Sequence, residues 1–186
     1  MEDFKANVVL DSEPEEIDIP PFTLVGATTS GGSLSQPFYD RFTVKEHLSF
    51  YNTNELAKLA GLNANSLGLT IPEEHLTGIA ERSKGTPRIL NSRLEWYKNY
   101  TNFYPDADDV DKIFNEQGID KHGMDENDRR YLEILTQNRL NPLGIKSISS
   151  MTGIAMDTIE NSIEPYMVRQ GYVIRTQKGR VIGKTP

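Results

Sequence analysis

Residues 172–182, which read YVIRTQKGRVI, decide the fold of the C-terminal part of this chain. β-branched and apolar residues stand on both sides of Gln177-Lys178-Gly179, so the segment predicts two short strands, Tyr172–Thr176 and Arg180–Ile182, joined by a tight turn. Three helical patterns precede this basic hairpin. Three helices followed by such a hairpin are typical of a winged helix, a relative of the helix-turn-helix.

The three helices are predicted from capping residues and apolar spacing. Asp125 can cap the first, the second is short, and Asp157 with Glu160 forms a capping-box-like start of the third. Pro165 should kink the third helix because proline removes a backbone donor, and Gly171 should end it. The apolar residues of the three helices are Tyr131, Leu132 and Leu135; Ile145, Ile148 and Met151; Ile159, Ile163 and Met167.

Residues 51–118 also have a helical pattern, and the polar, glycine-containing segment Gly118–Met124 predicts a linker to the winged helix. Thr53 can cap a helix that runs to about Ala60. Pro72 occupies a first-turn position. Thr86-Pro87 pairs an N-cap with a proline at the start of the next helix, and a shorter helix follows around Val110, Ile113 and Phe114.

The first 50 residues have a different, strand-like pattern. Residues 7–19 predict a β-hairpin whose turn is Asp11-Ser12-Glu13-Pro14. Phe22–Ala27 is a short apolar run bounded by turn signals, which predicts a buried strand, and Val44–Phe50 is a further strand candidate.

Composition excludes several classes of protein. The 186 residues are 37% hydrophobic and 25% charged, which is enough apolar material for a packed core. There is no cysteine, so disulfides and thiolate metal sites are excluded. The start of the sequence has no signal-peptide pattern and no apolar run approaches membrane-spanning length. These features predict a protein of the reducing cytoplasm, with no membrane partner.

Charge is distributed unevenly along the chain. The net charge of −7 argues against nucleic acid, but residues 165–186 carry five bases and no acid. A nucleic-acid partner needs local positive potential rather than a positive total. Charge alone leaves two interpretations open, a nucleic-acid contact and a solvated basic tail.

Six strings, in order and spacing from the first residue to the last, resemble the RuvB family of Holliday-junction branch-migration motors. The resemblance implies a mixed, mostly α fold: a partial AAA+ α/β core remnant with a β-hairpin at 1–50, a helical lid at 51–118, and a C-terminal winged-helix DNA-binding domain at 119–186. The strings are Met1-Glu2-Asp3-Phe4, Pro20–Thr29, Asp40-Arg41-Phe42, Gly85-Thr86-Pro87-Arg88, Glu164-Pro165-Tyr166 and Arg175–Arg180.

The resemblance implies the rear portion of an ATP-dependent DNA helicase that acts in recombination and repair, with ATP and Mg²⁺ as the complete enzyme's cofactors. The 186 residues contain no G-x-x-x-x-G-K-[ST] phosphate loop, because Gly32-Ser33 follows the spaced glycines Gly26 and Gly31. Phosphoryl transfer by such motors consists mainly of positioning and electrostatic stabilisation. We therefore expect this chain alone to hydrolyse no ATP.

The family's nucleotide residues map onto positions in this sequence. Arg41 matches the arginine finger. A guanidinium group suits this role because it is planar and permanently charged. Thr28 and Thr29, expected at the end of a buried strand, match the first sensor, and Arg88, in the first turn of a helix, matches the second. The remaining positions that the resemblance assigns to the nucleotide pocket are Glu2, Asp3, Phe4 and Tyr51.

The family's DNA-contacting residues map onto Arg175, Lys178 and Arg180, which place three cations on one protruding hairpin suited to duplex phosphates. The alternative is a solubilising edge hairpin. The three histidines are widely spaced and predict no metal site. The acidic run from Asp106 to Asp111 resembles a solvated helix start, not a calcium loop.

Some positions depart from the family pattern. Tyr39 and Ser30 replace usual arginines, which weakens the expectation of a homo-oligomeric ring. The first hairpin, where the family docks its partner RuvA, is short, so a RuvA-like partner is left open. Its acidic tip residues are Glu13, Glu15 and Glu16.

Two other functions stay open. One is a non-catalytic DNA-binding or adaptor protein that derives from such a motor. The other is a winged-helix regulator of an operator, although the third helix offers only Met156, Thr158 and Asn161 as exposed base-reading candidates.

Overall fold

A computed structural model describes residues 5–10 and 13–184. The chain forms two compact units, Met1–His47 and Leu48–Pro186. In the described part of the chain, no helix combines the length and the apolar character that crossing a membrane requires.

The described part of the first unit contains a β-hairpin, a short 3-10 helix (Gly31–Ser33) and one short α-helix. Strand β1 (Lys5–Leu10) pairs antiparallel with β2 (Glu13–Asp18), and helix α1 spans Gln36–Asp40. The predicted hairpin is therefore confirmed, but Glu13 and Pro14, which were predicted in its turn, belong to β2, and the other predicted turn residues, Asp11 and Ser12, lie outside the described residues.

The prediction of a buried strand at Phe22–Ala27 is wrong. The segment is irregular, with 60% of Leu24 and 86% of Val25 exposed. A strand satisfies its backbone groups through neighbouring strands, and within the described part of this unit only β1 and β2 pair. Thr28 and Thr29 consequently do not end a strand, and residues 44–50 form none either.

The second unit is mostly helical and ends in a second hairpin. Its helices pack around two hydrophobic clusters, one centred on Leu90 and Phe114 and the other on Tyr131 and Ile148. Its elements are α2 (Thr53–Ser66), α3 (Glu73–Glu81), α4 (Pro87–Phe103), α5 (Val110–Asn115), α6 (Glu126–Gln137), α7 (Ile145–Thr152), α8 (Met156–Thr158), a π-helical turn (Ile159–Ile163), α9 (Glu164–Arg169), β3 (Val173–Thr176) and β4 (Gly179–Ile182).

Two helix starts differ from the prediction. Asn52, not Thr53, caps α2, because its side chain accepts from the Glu55 N–H while the Glu55 carboxylate accepts from the Asn52 N–H. Pro72 is the N-cap of α3 rather than a residue of its first turn. In both cases the helix begins one residue away from the position that the pattern favoured, which is a small displacement for a helix end.

The winged-helix part follows its pattern except at the third helix. Asp125 caps α6 as predicted. The third helix starts after Ala155, and Asp157 instead accepts from the Asn161 amide, so the predicted capping box is absent there. A π-helical turn lies directly before Pro165, where the missing proline N–H interrupts the regular ladder.

The segment predicted as a linker between the helical parts is packed. Met124 is 1% exposed, and the Arg129 guanidinium donates to the Met124 and Gly118 carbonyls at 2.8 and 3.0 Å. Gly123 has φ +74°, and a Cβ there would lie 2.5 Å from the Arg82 carbonyl oxygen. The segment therefore holds the two helical parts together.

Candidate nucleic-acid interface and nucleotide-response residues

The β3–β4 hairpin places Arg175 directly opposite Arg180 in the strand register. Like charges in this position repel one another. Lys178 lies in the two-residue turn between them and is exposed, with its backbone N–H donating to the Thr176 hydroxyl. All three predicted DNA-binding cations are thus on one short hairpin.

Both arginines share one buried carboxylate, that of Glu164 at the start of α9. Arg175 Nε donates to Glu164 Oε2 at 2.7 Å, and Arg180 Nε donates to Oε1 at 2.8 Å. The Tyr131 hydroxyl also donates to Oε1 at 2.8 Å, and Glu164 is 0% exposed. The carboxylate therefore compensates much of the repulsion between the two guanidinium groups.

The ionisation of this cluster follows from its contacts. Burial alone would raise the pKa of Glu164, but the hydrogen bonds from Arg180 and Tyr131 and the nearby arginine charges outweigh burial, so its pKa is below the ordinary value. The hydrogen bond to Glu164 raises the pKa of Arg180. Burial, followed by the contact with Glu164, raises the pKa of Tyr131. The cluster is an ionised carboxylate between two permanent cations.

Glu164 was not predicted from the sequence as a partner of the hairpin. Its position in the sequence could have indicated this role. Glu164 lies among the apolar residues Ile163, Tyr166 and Met167, which occupy core positions. A carboxylate in an apolar stripe needs a buried cationic partner. The identity of that partner depends on how the hairpin folds back, which periodicity does not give.

The third helix presents a modest polar surface beside the hairpin. Met156 is 43% exposed, Asn161 is exposed, and Thr158 is half-buried. The Asn161 amide is bonded to Asp157 at 2.6 Å. These residues offer no bidentate donor in position for a base edge, whereas the hairpin cations suit phosphates.

A second group of predicted residues lies where α4 begins. The Tyr51 N–H donates to the Gly85 carbonyl at 3.1 Å, which places the half-exposed Tyr51 next to the turn that leads into α4. Thr86 is the N-cap and Arg88 is exposed in the first turn. The Thr86 side chain does not cap the helix, so the turn keeps unbonded N–H groups that favour an anion. Tyr51 and Arg88 therefore lie at the same end of α4.

The winged helix contacts this same turn. The Arg169 guanidinium lies 3.5 Å above the centre of the Phe50 ring and donates to the Lys84 carbonyl. The Lys84 ammonium is paired with Asp128 and lies 5.1 Å from the centre of the Tyr166 ring. These contacts join the turn before Arg88 to α6 and α9.

The remaining predicted nucleotide residues belong to the first unit. Arg41 is the C-cap of α1 and is exposed, and Asp40 accepts from the Gln36 amide at 2.8 Å. The Thr28 hydroxyl accepts from the Ser30 N–H at 3.0 Å, and Thr29 is exposed. The predicted pocket residues Glu2, Asp3 and Phe4 lie outside the described residues.

His75 and two residues of the acidic run, Asp109 and Asp111, have structural contacts. His75 is 5% exposed and bonds the Tyr97 hydroxyl and the Asp108 carbonyl at 2.7 and 2.9 Å. Asp109 caps α5, and Asp111 is paired with the buried Arg82. Across residues 5–10 and 13–184 no group of three or more His, Asp or Glu residues could hold a metal ion.

Comparison with known protein families agrees with this arrangement over nearly the whole sequence. Residues 1–48 match the model of the Holliday junction DNA helicase RuvB P-loop domain, 51–125 that of the RuvB AAA lid domain, and 121–185 that of the RuvB C-terminal winged helix domain. The chain belongs to the RuvB family.

Solved structures of RuvB from Thermotoga maritima match the chain closely. The structure described as its Holliday junction branch migration motor is 33% identical, with a TM-score of 0.75 over 89% of this chain and 57% of that one. Two mutant forms are also 33% identical, with TM-scores of 0.74 and 0.76 over 94% and 98% of this chain. The chain spans about three fifths of the length of these relatives, 57–60%.

Proposed function

We propose that this chain is the DNA-contacting and nucleotide-responding portion of a RuvB-type branch-migration motor, acting on duplex or Holliday-junction DNA in recombination and repair. The observation that carries the proposal is the β3–β4 hairpin, which presents Arg175, Lys178 and Arg180 from a folded winged helix. Cations of this kind bind phosphates and position a protein on the duplex without reading its sequence.

In this proposal the hairpin holds the phosphate backbone while the turn before α4 responds to nucleotide. Arg88 binds a phosphate of ATP at the helix start, and Tyr51 packs beside the nucleotide together with Glu2, Asp3 and Phe4. ATP and Mg²⁺ are the complete enzyme's cofactors and supply the reaction that drives translocation. Arg41 serves a neighbouring subunit in a homo-oligomeric ring, and Thr28 and Thr29 orient the attacking water.

The DNA-binding part is tested by fluorescence anisotropy of a labelled duplex and a labelled four-way junction at increasing salt concentration. We expect affinity to fall steeply with salt, and Lys178→Ala to reduce the slope of log affinity against log salt by about 1. Lys58→Ala, an exposed lysine of α2, is the matched control and should behave as wild type. Binding that is absent at low salt, or is unchanged in Lys178→Ala, contradicts the proposal.

The motor part is tested by ATP hydrolysis. Residues 1–186 contain no phosphate-loop motif, so we expect no steady hydrolysis from this chain alone. Supplying the phosphate-loop portion of a RuvB protein should restore activity, and Arg41→Ala in the same mixture should abolish it. Steady hydrolysis by the pure chain would contradict this expectation.

A non-catalytic DNA-binding or adaptor role is the second candidate. It is favoured by the two hydrophobic clusters of the Leu48–Pro186 unit, in which every member that the structure describes belongs to that unit. It predicts the same salt-dependent binding, but no hydrolysis when the phosphate-loop portion is added. A RuvA-like partner at the β1–β2 hairpin is proposed only for the motor role, and a pull-down with purified RuvA tests it.

A further inference from the structure

We propose that Glu164 is a positioning residue for DNA binding: it fixes the inner edges of the Arg175 and Arg180 guanidinium groups so that their outer ends are presented to phosphate. This inference rests on the proposed DNA contact by the hairpin. It concerns a residue that touches no DNA itself and whose negative charge, taken alone, opposes DNA binding.

The hydrogen-bond geometry carries the inference. Both arginines engage Glu164 side-on: Nε of each donates to the carboxylate at 2.7 and 2.8 Å, and Nη2 lies 2.5 Å (Arg175) and 3.3 Å (Arg180) from Glu164 Oε2. Arg180 also directs its Nη2 toward Glu160 Oε1 at 3.2 Å. In the part of the chain that the structure describes, no protein oxygen accepts from Nη1 of either arginine, so this end of each fork is available for a phosphate oxygen.

Exposure distinguishes the two arginines. The Arg175 side chain is 49% exposed and that of Arg180 is 16% exposed, while Glu164 is 0% exposed. Arg175 is therefore the principal phosphate donor, and Arg180 belongs mainly to the anchoring cluster. A guanidinium that is already fixed at its inner edge loses less side-chain entropy when it binds a phosphate than a free arginine does.

The Tyr131 hydroxyl completes the support. It donates to Glu164 Oε1 from the core of the winged helix at 2.8 Å, and Tyr131 is 0% exposed. The carboxylate, which belongs to α9, therefore accepts a hydrogen bond from Tyr131 of α6 and also binds both strands of the hairpin. The backbone of Arg180 also pairs with that of Leu143 at 2.8 and 2.9 Å, so the contribution specific to Glu164 is the orientation of the two guanidinium groups.

Charge and positioning predict opposite results for Glu164→Gln. Removing a negative charge near a phosphate-binding surface should strengthen DNA binding if electrostatic potential alone matters. Loss of the carboxylate should instead weaken binding about tenfold, because glutamine keeps one acceptor oxygen and turns the other position into a donor, so one of the two guanidinium groups loses its partner. Glu160→Gln is the matched control: it removes an exposed acid beside Arg180 and should strengthen binding about twofold.

Arg175→Lys provides an independent test at a half-exposed position, and it keeps a positive charge beside the buried Glu164. Lysine keeps the charge but cannot bind Glu164 through one edge and a phosphate through another. We expect binding about fivefold weaker than wild type at low salt. Tyr131→Phe, which removes one donor to Glu164, should give a smaller loss in the same direction.

The experiment measures duplex affinity of the full chain and of these variants by anisotropy, with circular dichroism to verify folding, and follows the Nε–H signals of Arg175 and Arg180 by NMR. We expect these signals to stay protected from exchange when unlabelled duplex is added. Tighter binding by Glu164→Gln, wild-type affinity in Arg175→Lys, or loss of Nε–H protection in the complex overturns the inference.

The outcomes separate this inference from the function on which it rests. A wild-type chain that binds no duplex contradicts the proposed function itself. A wild-type chain that binds normally, with Arg175→Lys equal to it, contradicts the positioning role alone. If Glu164→Gln does not fold, Arg175→Lys and the NMR signals still decide.

Discussion

The two units of this chain contain similar apolar residues but bury them very differently. In Met1–His47, Leu24 is 60% exposed and Val25 is 86% exposed, whereas in Leu48–Pro186 Leu90 and Ile148 are fully buried. A helix satisfies its own backbone groups and can pack against the next helix along the chain, while a strand needs neighbours to pair with. Apolar sequence therefore produces a core only where its hydrogen-bonding partners are present.

The largest expected difference between the units is in core truncation. Leu90→Ala should lower the free energy of unfolding by about 3 kcal/mol, because it leaves a cavity in a fully buried site. Leu24→Ala, the matched change in the first unit, should cost less than about 0.5 kcal/mol. Denaturant unfolding followed by circular dichroism, which reports on the β1–β2 hairpin as well as on the helices, measures both. Equal losses in the two variants would contradict the comparison.

The packed segment Gly118–Met124 inside the second unit, called the packed joint below, gives the next largest effect. Gly123→Ala should cost about 3 kcal/mol, because the new Cβ would meet the Arg82 carbonyl in addition to the strain of a positive φ. Gly118→Ala has the same φ but open space around it and should cost about 1 kcal/mol. The same unfolding measurement applies. If the two variants are equally stable, the segment acts as the linker that its composition predicts.

These residues also show how far sequence could predict the structure. Capping and periodicity gave the helices of the second unit and both hairpins, since local hydrogen bonds and apolar spacing determine those elements. They did not give the packed joint, because the contact of Gly123 with Arg82 joins segments that are distant in sequence. Phe22–Ala27 was predicted as a buried strand because its pattern is that of a strand, but the described part of its unit offers no partner strand.

The candidate site was likewise predictable from the sequence only in part. The cations Arg175, Lys178 and Arg180 were predicted from local sequence, and the structure places them on one hairpin. Glu164 was not identified as their partner, because the fold alone brings it beneath both strands. Their binding of DNA, and the nucleotide roles of Arg41 and Arg88, stay predictions.

A smaller effect is expected at the contact between the winged helix and the turn before α4. Arg169→Ala removes the stacking on Phe50 and should destabilise the second unit by about 1 kcal/mol. Arg139→Ala, an exposed arginine of the same unit, should change stability negligibly. Thermal melting of both variants checks this. A loss in Arg139→Ala that matches the loss in Arg169→Ala would contradict a specific role for the stack.

The smallest effect is a pH dependence. The pKa of Glu164 is lower in the folded chain than its ordinary value of 4.5, so the ionised form favours folding. Its contribution to stability is present above pH 4.5 and is lost as pH falls through the folded pKa. Wild-type stability should therefore fall more steeply than that of Glu164→Gln in acid denaturation below pH 4.5. Parallel curves for the two proteins would contradict it.

Hydrogen exchange of the full chain, with and without duplex DNA, tests the central claim most directly. The claim is that Leu48–Pro186 is a packed body whose β3–β4 hairpin binds DNA, while residues 20–47 lack a core. We predict slow exchange in α4 and α6, fast exchange throughout residues 22–27, and added protection on duplex binding centred on Thr176–Arg180. Slow exchange at residues 22–27, or DNA protection that avoids the hairpin, would contradict the account.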